Sequence, residues 1–191
     1  MALLILGLIL FIGVHSVGIV SVAMRDHWAA ALGVNAWRAI YSLVSLAGFV
    51  LLIVGYMQAR QSPVVLYLPP PWTRHAAFAL MLPVFPLIFA AYLPGTIKAK
   101  LKHPMLAAVK LWALAHLLAN GMLADLLLFG GFLVWAVFAR VSFKRRTQRM
   151  MMPLPSPSLR NDVLAVVLGL GLYVATLFWL HRLLIGMPLV R

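Results

Sequence analysis

The apolar residues of this chain gather into six long runs, and the polar residues into short basic or proline-rich segments between them. Runs of about 20 residues match helices that cross a bilayer at 1.5 Å per residue. The pattern predicts a first span over Leu3–Met24, ended by Arg25-Asp26-His27, and a second over Trp37–Met57. A segment with Arg60, Pro63, Pro69-Pro70-Pro71, Trp72 and Arg74 follows, read as stiff and interfacial. The third span covers His75–Leu93, and Pro83 and Pro86 inside it are expected to kink it. Beyond the basic loop of Lys98, Lys100 and Lys102, an apolar run of 35 residues from Met105 to Ala139 is too long for one ordinary helix. A turn near Asn120-Gly121 makes it a helical hairpin, spans four and five. Arg140 and Lys144-Arg145-Arg146 close span five, Pro153, Pro155 and Pro157 mark a linker, and span six covers Asp162–Leu180 with His181-Arg182 at its end. The expected fold is an all-α, polytopic transmembrane helix bundle of about six helices in a single domain, residues 1–191.

Composition supports that class and removes several chemistries. With 64% hydrophobic and 10% charged residues, the chain has too little polar surface to cover a soluble globule. Its 191 residues leave no room for a soluble catalytic domain beside six spans, so an active site must lie in or at the membrane. There is no cysteine, which excludes disulfides, thiolate nucleophiles and cysteine-held metals. There is no glutamate either, and the only acids are Asp26, Asp125 and Asp162, too few for paired-carboxylate or calcium chemistry.

The net charge of +13 sits beside apolar spans, where basic residues act as topology signals and lipid-headgroup contacts rather than as a nucleic-acid surface. The loops after spans one, three and five carry eleven Lys and Arg, against four for the other loops and the tail. The heavier set is expected in the cytoplasm, which in a bacterium means the inner membrane with both termini periplasmic. The amino terminus lacks a basic n-region, so the first span is expected to be retained rather than cleaved.

Two spans carry a histidine near mid-membrane, His15 in the first and His116 in the fourth. Ionisable groups there cost about 2.5–3.5 kcal/mol on insertion scales when charged, so a buried imidazole has a partner. His15 lies nine residues and His116 eleven from the cytoplasmic ends of their spans, hence at similar depth. Two neutral imidazoles at one depth suit bis-histidine ligation of haem b, with His15 and His116 as iron ligands. Arg38, Lys102 and Lys110 are candidates to receive the propionates, and Asn120 is a further polar candidate at the cofactor. Gly13 and Gly18 flank His15 and would let a ring or helix come close. His103, fixed by the following Pro104 at a helix entrance, is the candidate catalytic residue and a reserve ligand. A plainer reading stays open beside this one. Each mid-span histidine can bond a backbone carbonyl or a polar neighbour, His15 to Ser16 or Ser21 and His116 to Asn120. His27, His75 and His181 read as interfacial, and Asp125 as a helix-start carboxylate.

Lys102-His103-Pro104 and the helix after it look like the Arg-His-Pro box of integral membrane methyltransferases, but the downstream glutamates of that family are missing and a lysine replaces its arginine. The chain more fully resembles the NnrU family of bacterial membrane proteins, related to plant ζ-carotene isomerases. The resemblance rests on Val14-His15-Ser16, Trp37-Arg38-Ala39-Ile40-Tyr41-Ser42, Lys102-His103-Pro104, the Lys110–Asn120 helix, Phe129-Gly130-Gly131-Phe132 and Trp179-Leu180-His181-Arg182, in that order. It implies a b-type haem held by the histidines at positions 15 and 116. It also implies either redox or isomerase-like chemistry on a lipid-soluble polyene, or a role in nitrite and nitric oxide metabolism during denitrification. A cofactor-free partner of a nitrogen-oxide reductase is the second expectation, and membrane methyl transfer the third.

Overall fold

The computed structural model describes residues 1–147 and 156–190, and among these the chain is helical throughout its long elements. The helices are α1 (Ala2–Val20), α2 (Val22–Leu32), α3 (Val34–Ala59), α4 (Trp72–Met81), α5 (Val84–Tyr92), α6 (Thr96–Leu101), α7 (Pro104–Ala119), α8 (Leu123–Thr147), α9 (Leu159–Ala175) and α10 (His181–Ile185), with a π-helical turn, Thr176–Leu180, joining the last two. Five segments are long and apolar enough to span a membrane: Ala2–Val20, Val34–Ala59, Trp72–Tyr92, Leu123–Arg145 and Leu159–Ile185. Pro104–Ala119 is a sixth, shorter apolar helix. Large apolar side chains such as Leu43, Leu46, Phe138, Val167 and Leu183 point outward, the arrangement that hydrocarbon rather than water rewards. The protein is an all-α membrane bundle.

Breaks along the chain follow local chemistry. Pro83 has no N–H to give and separates α4 from α5, whereas Pro86 falls in the first turn of α5, where a missing N–H costs no bond, so only Pro83 interrupts the span. The turn expected at Asn120-Gly121 is there, between α7 and α8. Span one ends earlier than its hydropathy suggests. Ser21 adopts an extended conformation, its Oγ accepts the Met24 N–H at 3.1 Å, and α2 starts from that cap. The Arg25-Asp26-His27 group therefore sits on a separate exposed helix rather than at the end of α1. Of the expected linker, Pro153 and Pro155 lie outside the described residues.

The chain sorts into two compact units, Met1–Pro69 with Asn120–Met150, and Pro70–Ala119 with Met151–Arg191. In the first, α1 and α3 run antiparallel with their backbones almost touching. A Cβ at Gly55 would stand 2.2 Å from Leu4 N, one at Gly7 2.6 Å from Leu52 N, and one at Gly48 2.8 Å from Phe11 N. Close small-residue seams of this kind hold helices together where lipid supplies no hydrophobic drive. The expectation for Gly13 and Gly18 fails here: a Cβ at Gly13 meets no atom within 4 Å, and one at Gly18 only the Arg25 Cδ at 3.8 Å. Helix α8 runs parallel to α1, with Ala124 in the Leu4–Leu52–Ala59 core and Ser142 Oγ donating to Ile19 O at 3.1 Å near the other end. Residues 64–67 lie across the turn before α8, through Leu66 N to Gly121 O and Leu123 N to Val64 O, both 2.8 Å.

In the second unit, α5 packs on α9 and α7, and α4 on α7. Gly169 of α9 meets Pro86 so closely that a Cβ would come within 2.3 Å of Pro86 N. Tyr173 OH donates to Phe78 O at 3.0 Å, joining α9 to α4, and the Arg74 guanidinium donates to Leu189 O.

Candidate functional site

His15 and His116 are built by one local device. In each, an aromatic residue four positions earlier offers its backbone carbonyl to the imidazole Nδ1: Phe11 O at 2.7 Å for His15 and Trp112 O at 2.8 Å for His116. A carbonyl can only accept, so Nδ1 carries the proton, and in a neutral ring the lone pair is on Nε2. Such an outer hydrogen bond fixes ring orientation and tautomer in metal-ligating histidines. Of the plain alternatives, the carbonyl is the one realised for His15. Ser16 donates to Ile12 O and Ser21 caps α2, so neither serves His15 through the hydroxyl.

Both rings are half-buried. The Phe11 ring stacks on His15 at 4.3 Å between centroids, Tyr41 of α3 stands at 5.3 Å, and Trp135 of α8 meets it edge-on at 6.2 Å. Trp135 Nε1 is buried and has no hydrogen-bond partner among the described residues. His116 has the Trp112 ring at 5.3 Å. The aromatic-x-x-x-His spacing is readable in sequence, whereas Tyr41 and Trp135 arrive from distant helices and carry no such mark.

The other candidates divide between the units. His15, Arg38 and Asn120 belong to the first, and His116, His103, Lys102 and Lys110 to the second. Arg38 is exposed near the start of α3, three residues before Tyr41. Asn120 is at the opposite end of that unit, where its carbonyl accepts the Tyr67 hydroxyl at 2.6 Å, so Arg38 and Asn120 are not brought together. Burial, then the Asp125 carboxylate, holds the Tyr67 phenol above its ordinary pKa. Within α7, Lys110 is half-buried six residues before His116, about 9 Å along the axis. His103 stands about 20 Å from His116 along the same helix, with its Nε2 shielded from solvent. Lys102 is exposed and has φ 63, a positive value uncommon for a side-chain-bearing residue, and a tight turn links His103 N to Leu101 O at 2.7 Å. Among the described residues no group of three or more His, Cys, Asp or Glu is placed to hold a metal ion, so a cluster site is not formed.

Two acids take roles that the sequence only partly shows. Asp125 is at helix start, as expected, accepting Met122 N at 3.0 Å, but its other oxygen accepts the Tyr56 hydroxyl at 2.6 Å. Asp162 crosses from α9 to α6 and accepts the Thr96 and Ile97 N–H groups at 2.8 and 3.0 Å. Asn161 beside it donates to Pro94 O at 2.8 Å. A helix start with no cap of its own is thereby supplied with one from a distant element. In Asp162→Ala, amide exchange at Thr96 and Ile97 is expected to speed up by about tenfold, the effect of losing a cap, while the α1–α3 amides keep their rates. Unchanged exchange at both positions would remove the carboxylate from this role.

The helices and their outward apolar surface define a multi-pass membrane protein. His15 lies within the long helix α1, whereas His116, expected at mid-span, falls in the last turn of the shorter α7, and each imidazole is held by a backbone carbonyl one turn before it. The particular family follows from comparison: the sequence profile described as NnrU protein matches residues 3–189, nearly the whole chain, and the protein belongs to that family. No curated protein and no solved structure matches it.

Proposed function

We propose that this NnrU-family protein is a b-type haem protein of the bacterial inner membrane, in which His15 and His116 would hold the haem iron, with both termini in the periplasm. The observation that supports this most directly is the shared Nδ1–H···O=C bond, which gives both histidines the tautomer an iron ligand needs. The donor set fits haem b rather than zinc, since imidazole is present without cysteine or glutamate. When bound, the haem supplies one-electron chemistry, which serves either redox or isomerase-like conversion of a lipid-soluble substrate such as a polyene, or nitrite and nitric oxide metabolism.

The chain's own residues do the rest. Phe11 and Trp112 carbonyls hold the two rings and raise the basicity of Nε2. Phe11, Tyr41 and Trp135 exclude water around His15. Arg38, near Tyr41 and His15, and Lys110, about two turns before His116, would supply positive charge for carboxylate groups. His103 is the group proposed to move a proton, because its imidazole sits at a fixed helix entrance.

The test is an optical spectrum of the purified protein from haem-replete cells, oxidised and reduced, beside His15→Ala and His116→Ala. A Soret band with sharp reduced α and β bands is expected, lost or displaced in each variant. A folded but colourless wild-type protein in repeated haem-replete preparations overturns the haem reading and favours a cofactor-free partner of a nitrogen-oxide reductase.

A further inference from the structure

A groove of about 1040 Å³ runs along the first unit between α1 and α8, at the upper end of the roughly 300–1,000 Å³ of small-molecule sites. Its floor is Gly130-Gly131, where the missing side chains leave a notch in α8, and Ile12, Ile19, Leu126 and Phe138 form apolar walls. At the end where Ser142 bonds α1, the lining turns polar and finishes in Arg145. From Gly131 to Arg145 the helix advances about 21 Å, more than one leaflet's half of the roughly 30 Å hydrocarbon core. The groove therefore joins a headgroup-level cation to an apolar channel as deep as a leaflet.

None of the three aspartates, all among the described residues, pairs with the charge at its mouth. Of three acids, Asp26 pairs with Arg25, Asp125 with Tyr56 and Met122 N, and Asp162 with the α6 amides. Sixteen Lys and Arg stand against those three acids, which are already engaged, so the guanidinium of Arg145 is available to an anion supplied by the surroundings. A guanidinium suits a phosphate diester because its planar donors match two oxygens, and the apolar channel below suits a tail attached to it.

We infer that this groove is a binding site for one anionic glycerophospholipid of the cytoplasmic leaflet, its phosphate on Arg145 and one acyl chain lying over Gly130-Gly131. The choice of leaflet rests on the orientation proposed above, and the groove shares Trp135 with the surroundings of His15. The apolar span Leu123–Arg145 ends at that guanidinium, which places the headgroup at the level where basic residues meet lipid phosphates.

The test uses the full protein in phosphatidylcholine vesicles carrying spin-labelled phosphatidylglycerol or spin-labelled phosphatidylcholine, read as the motionally restricted fraction. Arg145→Gln is expected to lower phosphatidylglycerol association by about fivefold and to leave phosphatidylcholine unchanged. Gly130→Trp, whose Cβ meets only Leu126 Cδ1 at 3.7 Å, puts bulk on the floor of the groove. It is expected to lower phosphatidylglycerol association to a similar extent with Arg145 intact. Val163→Trp, exposed on α9, serves as the control and leaves association unchanged. Loss with Arg145→Gln alone reduces the site to surface charge and overturns the groove. Equal restriction of both lipids, or full competition by inorganic phosphate, overturns the inference as well. Thermal unfolding of each variant, read by circular dichroism, separates lost binding from lost fold.

Discussion

Replacing Gly169 with alanine destabilises the protein, and the same change two residues on, at Gly171, stabilises it. Both glycines lie in α9 and gain the same methyl group. At Gly169 the new Cβ falls 2.3 Å from Pro86 N and 2.5 Å from its Cα and Cδ, all parts of a rigid ring and backbone that cannot swing aside. The α5–α9 seam has to open, and overpacking of this kind costs about 1–3 kcal/mol or more. At Gly171 nothing lies within 4 Å, so alanine brings only its better helix propensity, about 0.5–1 kcal/mol in favour. Unfolding midpoints in mixed micelles, compared with wild type, should move in opposite directions. Two shifts of the same sign would contradict the close seam. Gly55→Leu extends the argument to the first unit, where the backbone of Leu3 and Leu4 blocks any side chain, and Gly13→Leu on α1 is its open counterpart.

The second large effect is expected at Asp125, which is 1% exposed. Asp125→Ala leaves two donors without acceptors, the Tyr56 hydroxyl and the Met122 N–H. Each unsatisfied buried group costs about 1–3 kcal/mol, so a loss of about 3 kcal/mol is expected. Tyr56→Phe removes one of the same bonds and should cost less than half as much, because the carboxylate keeps Met122 N and its place at the positive start of α8. A double-mutant cycle in the same unfolding assay reads the coupling between the two side chains directly. Additive losses would place the value of Asp125 in its helix cap alone.

The two acids differ in how far they can be read from the chain. Asp125 follows the Asn120-Gly121 turn, so its helix-start role is visible, since capping acts over three residues. Tyr56, 69 residues away, is not. For Asp162 even the role is hidden: it caps α6, whose first turn lies 65 residues back. The glycines show the same limit. Gly13 and Gly18 stand out because they flank a histidine, but the seam uses Gly7, Gly48 and Gly55, and nothing in one helix states which face another will meet. Around His15, Phe11 is predictable at one turn's distance, and Tyr41 and Trp135 are not.

Solvent, element type and approximate span limits are therefore properties of the amino-acid sequence alone. They depend on transfer free energies that add residue by residue, and on breakers such as Pro83 that act within one turn. The ordered motifs from Val14-His15-Ser16 to the last helix likewise carry the family, which the match over residues 3–189 bears out. Tertiary structure alone decided which glycines touch, which helix Asp162 caps, which aromatics surround His15 and where a channel opens beside α8. Those pairings depend on the register and facing of helices far apart in the chain, and in lipid that register is set by close packing and satisfied polar groups rather than by any local preference.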